Sequence, residues 1–176
     1  MLRAAEPGDL PGIATLMRTS VLDVFPQFHD QTETEAAAQY LTVPDPVLIE
    51  DGTYFVHEAA GQVVACGGWS RRDKLYTGSG AAPTDDRLLD PATEPARVRA
   101  MFVHGDWTRR GLGRAILARC VTAAREAGFR DLVLMATLPG EPLYRAFGFR
   151  EVERTRVPLP NGVFLGGVSM AYPLSG

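Results

Sequence analysis

Cysteine is nearly absent: Cys66 and Cys120 are the only two in 176 residues, and neither belongs to a CxxC pair or a zinc spacing. A disulfide scaffold and a thiolate metal site are thereby excluded, and both residues read as reduced, packed thiols. A large excess of one charge is missing as well. The net charge of -3 at pH 7 argues against nucleic acid as the main partner, although a near-neutral total leaves room for a local basic patch. No apolar run approaches the length that crosses a bilayer. The opening MLRAAEPGDLPG meets acid, proline and glycine before any apolar stretch, unlike a secretory leader. The expectation is a soluble, cytoplasmic protein with no membrane partner.

What is present describes an ordinary globular chain. Hydrophobic residues make up 45% and charged residues 22%, at a length that can bury a core unaided. One domain over residues 1–176 is expected.

Punctuation and periodicity divide the chain. LRAAEPGD reads as a short strand and turn, with Asp9 as N-cap of a helix whose stripe is Leu10, Ile13, Met17, Val21 and Val24 and whose stop is Pro26. Thr32 and Glu35 form a T-x-x-E capping box for a second helix, with Pro44 and Pro46 marking its exit. TYFVHEAAGQVVACGGWS is a hairpin hinged at Ala60 and Gly61, and Gly67 and Gly68 suggest a bulge or close backbone approach. Lys74 to Glu94, rich in Gly, Pro, Asp and Ala, reads as a flexible flap. The fourth strand is Ala96–Val103. A glycine-containing loop follows it, then a helix to Ala127 capped by Gly128, with Leu112, Ile116, Cys120, Ala123 and Ala127 as its buried face. DLVLMA is a fifth strand, parallel to the fourth in a βαβ unit. GEPLYRAF is a short helix ended by Gly148. Asn161 and Gly162 turn a final hairpin, whose apolar strand VFLGGVSMAY fits either a dimer edge or an inner position.

The loop DWTRRGLGRAIL carries the chemistry. A helix N-terminus offers unpaired amides and the positive end of the macrodipole, and glycines let anionic oxygens approach the backbone. A P-loop is excluded because G-K-[ST] is lacking, and GLGRAI lacks the third glycine of the dinucleotide fingerprint.

Taken together, VRAMFVHGDWTRRGLGRAIL and the downstream PLYRAFGF resemble the GCN5-related N-acetyltransferases, with their [QR]-x-x-G-x-[GA] fingerprint and downstream Y-x-x-x-G-F. Thr108 stands where the family prefers Gln or Arg, while Gly111 and Gly113 fill the glycine positions. The resemblance implies an α/β (α+β) acyl-CoA N-acyltransferase fold: a mixed, mostly antiparallel twisted sheet, flanked by helices and splayed between strands 4 and 5. It also implies acetyl-CoA as cosubstrate, without a metal. Arg109, Arg110, Gly111, Leu112, Gly113 and Arg114 would hold its pyrophosphate, and the strand end Met101, Phe102 and Val103 its pantetheine and acetyl carbonyl. Thr137, where relatives often carry Asn, would be a further pantetheine contact. Tyr144 would be the catalytic acid that protonates the departing thiolate.

Acetyl transfer needs a neutral amine, and a lysine-like amine of pKa about 10.4 is neutral about 0.04% of the time at pH 7, a deficit of about 4.6 kcal/mol. The general base is not identified: relatives place Glu or His on the fourth strand, where this chain has Arg97 and Arg99. Glu58, Glu94, His29 and His104 are candidates that also read as ordinary surface residues. Alternation puts Arg97, Arg99, Met101 and Val103 on one face. If that face lines the acceptor pocket, the small-molecule amine would carry a carboxylate; otherwise the arginines pair with neighbouring acids. Trp69, Phe25 and Phe28 are pocket walls or core. Direct transfer to a small-molecule amine is the leading reading, beside a non-catalytic CoA-binding sensor and a protein or peptide N-acetyltransferase.

Overall fold

In the computed structural model, which describes residues 1–74 and 87–174, one sheet of seven strands organises the chain. These are β1 (Leu2–Ala4), β2 (Tyr54–Ala59), β3 (Gln62–Ser70), β4 (Ala96–Val103), β5 (Asp131–Thr137), β6 (Arg150–Pro158) and β7 (Phe164–Pro173). Their order is β1-β2-β3-β4-β5-β7-β6. The β4–β5 pair is parallel and all the others are antiparallel. β7 is an inner strand, so of the two roles left open for the C-terminal apolar strand the sheet uses it inside. The parallel pair meets only at Ala96 with Leu132 and Arg97 with Val133. Beyond Val98 the two strands part, and the sheet is splayed there.

Helices cover both faces. On one, α4 (Leu112–Glu126) and α5 (Glu141–Phe147) bury Ile116, Leu117, Cys120, Ala124 and Tyr144 against Ala65, Val98, Leu134 and Val168. The stripe of α4 runs through Leu117, Val121 and Ala124 rather than ending on Ala127, which is exposed. At 100° per residue the apolar face drifts around the helix, so the late turns bury different positions. Gly128, at φ +94°, ends the helix as expected.

On the other face lie α1 (Leu10–Val24), α2 (Gln31–Tyr40) and α3 (Pro46–Glu50), packed through Ile13, Leu16, Met17 and Leu48 on Tyr54, Val56 and Cys66. Three local features differ from the sequence expectation. Asp9 precedes α1, but its carboxylate is held by Arg3 at 2.8 and 2.9 Å and by the Glu6 amide, so it closes the turn before the helix instead of capping it. α2 starts two residues early, because Asp30 and Glu33 form the capping box and leave Thr34 buried. Asp45 accepts from the Val47 amide and Pro46 opens a further helical turn, so the prolines start α3 as well as ending α2.

β4 departs from simple alternation. Ala96, Val98, Met101 and Val103 pack toward α4, whereas Ala100 and Phe102 pack toward α1. Ala100 has φ +51°, and the β3–β4 register shifts between Cys66 and Gly68. One extra residue in a strand exchanges its faces, so Arg97 and Arg99 do not share a face with Met101 and Val103. The glycines opposite permit this: a Cβ on Gly68 would lie 2.3 Å from the Thr53 carbonyl oxygen, and one on Gly67 would lie 2.7 Å from Met101 Sδ. Tyr54 donates its hydroxyl to the Ala100 carbonyl at 2.6 Å and holds the bulge.

The suggested flap falls mostly on 75–86, outside the described residues. Its far end, Arg87 to Glu94, is tied down: Leu89 is buried, and Arg87 bridges Asp73 and Glu94. No helix among the described residues is long and apolar enough to cross a membrane, and none of their His, Cys, Asp and Glu cluster in threes as a metal site.

Candidate active site

A cavity of about 480 Å³ opens where β4 leaves β5. Its walls include Met101, Phe102 and Val103 from β4, Leu134, Met135 and Thr137 from β5, and Leu143 and Tyr144 from α5. Thr108, Arg109, Gly111, Leu112, Gly113 and Arg114 close one end. Of the residues that the resemblance assigns to the carrier and to protonation of the thiolate, all except Arg110 therefore line one space.

The loop has the geometry of an anion cradle. Arg109 at φ +62° and Gly111 at φ +78° place left-handed residues on either side of Arg110, the backbone that makes anion-binding concavities. A Cβ on Gly111 would meet nothing within 4 Å, so the space beside it is open. Ala115 is the first residue of α4 to bond back, to the Gly111 carbonyl at 3.0 Å. The amides of Leu112, Gly113 and Arg114 therefore carry the positive end of the helix without a helical acceptor. Gly113 serves packing instead: its Cβ position lies 2.7 Å from Leu143, where α4 and α5 cross.

The charges fit that backbone. Among the described residues Arg109, Arg110 and Arg114 form no ion pair, unlike the acid-paired arginines elsewhere. Arg114 lies over the Phe147 ring at 5.4 Å, and Arg110 over Trp107 at 4.5 Å, which keeps Arg110 off the cavity wall. Aromatic faces hold a guanidinium in place without neutralising it. Thr108 donates its hydroxyl to the Gly105 carbonyl at 3.0 Å, so it braces its own turn.

Tyr144 is packed into the wall. Its ring is buried and meets Phe149 edge-on at 5.9 Å, and a Cβ on Gly140 would crowd both it, at 3.3 Å, and the Thr137 hydroxyl, at 3.1 Å. Burial pushes its phenol above the ordinary value, with Cys120 adding to the shift. The hydroxyl makes no hydrogen bond among the described residues, and it holds its proton at any physiological pH. Thr137 accepts the Gly140 amide at 3.2 Å and keeps its own hydroxyl proton for another partner.

The remaining candidates lie elsewhere. Arg97 pairs with Asp73 at 3.2 Å and Arg99 with Asp45 at 3.2 Å, and neither lines the cavity, so the alternative of pairing with acids is the one found. Glu58 faces Arg3 at 3.6 Å, Glu94 pairs with Arg87, and His104 spends Nδ1 on the Asp106 amide. His29 stacks on Phe25, with Nδ1 3.4 Å from Glu33. None of these four reaches the cavity. Phe25 is a cavity wall, Trp69 is core and Phe28 is exposed. Sequence reasoning missed Ser20, Val24, Leu41 and Ala100, which line the cavity opposite the loop. The glycine pair at 67 and 68 was the one signal for the bulge at Ala100, and nothing local singled out the other three.

A protein-family model described as an acetyltransferase (GNAT) domain matches residues 50–151, and the chain belongs to that family. Among solved structures, a GCN5-related N-acetyltransferase from Rhodopseudomonas palustris superposes with a TM-score of 0.71 at 18% identity, covering 98% of this chain and 94% of that one. The PaiA N-acetyltransferase of Thermoplasma acidophilum, solved with coenzyme A, gives 0.70 at 10% identity and covers 98% of each chain. The ribosomal-protein-S18-alanine N-acetyltransferase of Escherichia coli gives 0.59 at 19%, covering 100% and 94%. No curated protein matches the chain.

Proposed function

We propose that the chain, acting as one domain over residues 1–176, transfers an acetyl group from acetyl-coenzyme A directly to the primary amine of a small molecule. The observation that carries this reading is the joining, in one cavity, of an open amide and arginine cradle at Gly111 with the protonated hydroxyl of Tyr144.

The residues present fit the carrier. The α4 amides with Arg109 and Arg114 suit a pyrophosphate, and the edge of β4 that is unpaired beyond Val98 offers backbone groups to the amides of a pantetheine arm. Bound there, acetyl-coenzyme A supplies an activated acyl group and a thiolate leaving group of pKa about 8.5. Tyr144 holds a proton at its Oη within the same wall and delivers it to the departing sulfur. A phenol above its usual value of about 10 gives up that proton less readily, so its contribution comes from fixed position and donation as the charge develops.

Thermal unfolding with acetyl-coenzyme A, coenzyme A, ATP and NAD tests the proposal. A carrier present at one hundred times its dissociation constant adds about 2.7 kcal/mol. Stabilisation by the coenzyme A pair alone is expected, and stabilisation by ATP or NAD without it sinks the reading. A second reading, a coenzyme A binding module without turnover, is favoured by one observation: the described lining holds no Asp, Glu, His or Lys. Binding without thiol release under any acceptor would select it.

A further inference from the structure

We infer that the acceptor is an apolar amine already uncharged at neutral pH, of the arylamine class; the inference rests on the acetyl-transfer reading above. The cavity passes through the sheet at the gap between β4 and β5. The loop, Tyr144 and the residues packed toward α4 occupy one side, so the thioester lies at the gap and the acceptor enters from the α1 and α2 side.

That side is walled by Ser20, Val24, Phe25, Leu41, Ala100 and Phe102. Five of these carry only carbon side chains. Ser20 is buried, and its hydroxyl donates to the Val103 carbonyl at 3.3 Å. Two acids behind this face are engaged, Asp45 by Arg99 at 3.2 Å and Asp73 by Arg97 and Arg87, and Asp23 on α1 is exposed and does not line the cavity. An ammonium entering such a wall loses its water and meets no carboxylate in the described lining, which is strongly disfavoured. It must also lose a proton with no base in the described lining to take it. For an amine of pKa about 10.4 that leaves about one molecule in 2,500 reactive at pH 7. An arylamine avoids both penalties, because its conjugate acid is weak and its ring matches Phe25 and Phe102.

The step then balances without an enzyme base. The amine nitrogen forms the C–N bond, the C–S bond breaks with its electron pair on sulfur, and Tyr144 protonates that sulfur. The proton shed by nitrogen goes to water, and Tyr144 is reprotonated from water. The products are the arylamide and free coenzyme A.

The experiment uses the full chain with p-toluidine, spermidine and an alanine-initiated peptide, reading thiol release and thermal shift. The expected kcat/KM for p-toluidine exceeds each of the others at least tenfold. In the presence of coenzyme A, p-toluidine is expected to raise Tm further while spermidine does not. Leu41→Glu, which puts a carboxylate in the wall, should lower the p-toluidine rate and raise the spermidine rate, each at least fivefold. Spermidine or peptide equal to or better than p-toluidine overturns the inference and leaves acetyl transfer standing. Stabilisation by acetyl-coenzyme A with no release under any acceptor overturns it as well. Absence of stabilisation by acetyl-coenzyme A is a different result and removes the acetyl-transfer reading itself.

Discussion

The two ends of the cavity are built from different materials. At the α4 end the lining is backbone and cation: left-handed Arg109 and Gly111, helix amides without a helical acceptor, and Arg114 held against the Phe147 ring. At the α1 end it is carbon: Val24, Phe25, Leu41, Ala100 and Phe102. Backbone amides present the same groups whatever the side chains, so the first end can persist through wide sequence divergence. The second end is made entirely of side-chain choice. Solved structures share the fold at 10 to 19% identity.

The sharpest way to break the comparison is at Tyr144, which sits between the ends. Tyr144→Phe keeps the ring and its contact with Phe149 but removes the proton. In steady-state assays kcat should fall about a hundredfold, the lower range for a positioned acid. The thermal shift with acetyl-coenzyme A should stay the same. A variant with unchanged kcat would show that the proton comes from solvent.

Gly111→Val attacks the α4 end alone. A β-branched residue at φ +78° costs about 1–2 kcal/mol and fills the space beside the cradle, so the dissociation constant for coenzyme A, measured by calorimetry, should rise about tenfold. The acceptor preference should not move. A change in preference without a change in carrier affinity would mean that the two ends are assigned the wrong way round.

The α4 end was far more legible in the sequence than the α1 end, and the reason is range. Gly111, Gly128 and Gly148 all take positive φ and announce local turns. The loop and Tyr144 lie within one continuous strand, helix, strand, helix segment whose spacing puts them together. Ser20 and Leu41, by contrast, reach the cavity only through the packing of α1 and α2 on the sheet. Ala100 was misread for the same reason: its bulge is held by Tyr54, 46 residues away, and simple alternation cannot report a residue that breaks it. Thr32 and Glu35 looked like a cap because HDQTETE offers two overlapping boxes, and Asp30 with Glu33 takes precedence.

A smaller effect separates the two faces by pH. On the α1 side, Arg3 holds Asp9 and Arg72 holds Asp51 below the ordinary carboxylate range. A carboxylate lowered in the folded state adds stability that is complete above its unfolded pKa, about 3.9, and that is lost as pH falls through the lower folded value. The arginines at the α4 end have no such acid partners among the described residues. Asp9→Asn should therefore cost about 1 kcal/mol at pH 7 in urea unfolding, given its partial exposure. The difference from wild type should shrink as pH falls below about 3.9 and vanish only once the pH is below the lowered folded value of Asp9. A constant deficit at every pH would assign the loss to packing instead of charge.

The smallest expected effect compares the two thiols. Cys66 lies on the α1 side of the sheet, where burial pushes its pKa up to about 12. Cys120 lies on the buried face of α4, and burial raises its thiol as well. Alkylation requires thiolate and access, and these sites supply neither. Native protein at pH 8 should take up no iodoacetamide over an hour and keep its full activity, while the urea-unfolded chain takes up two equivalents. Modification of Cys66 in the native state would show that the α1 side opens on that timescale. The apolar wall would then be a fluctuating surface, and the acceptor preference would be set by the opened form.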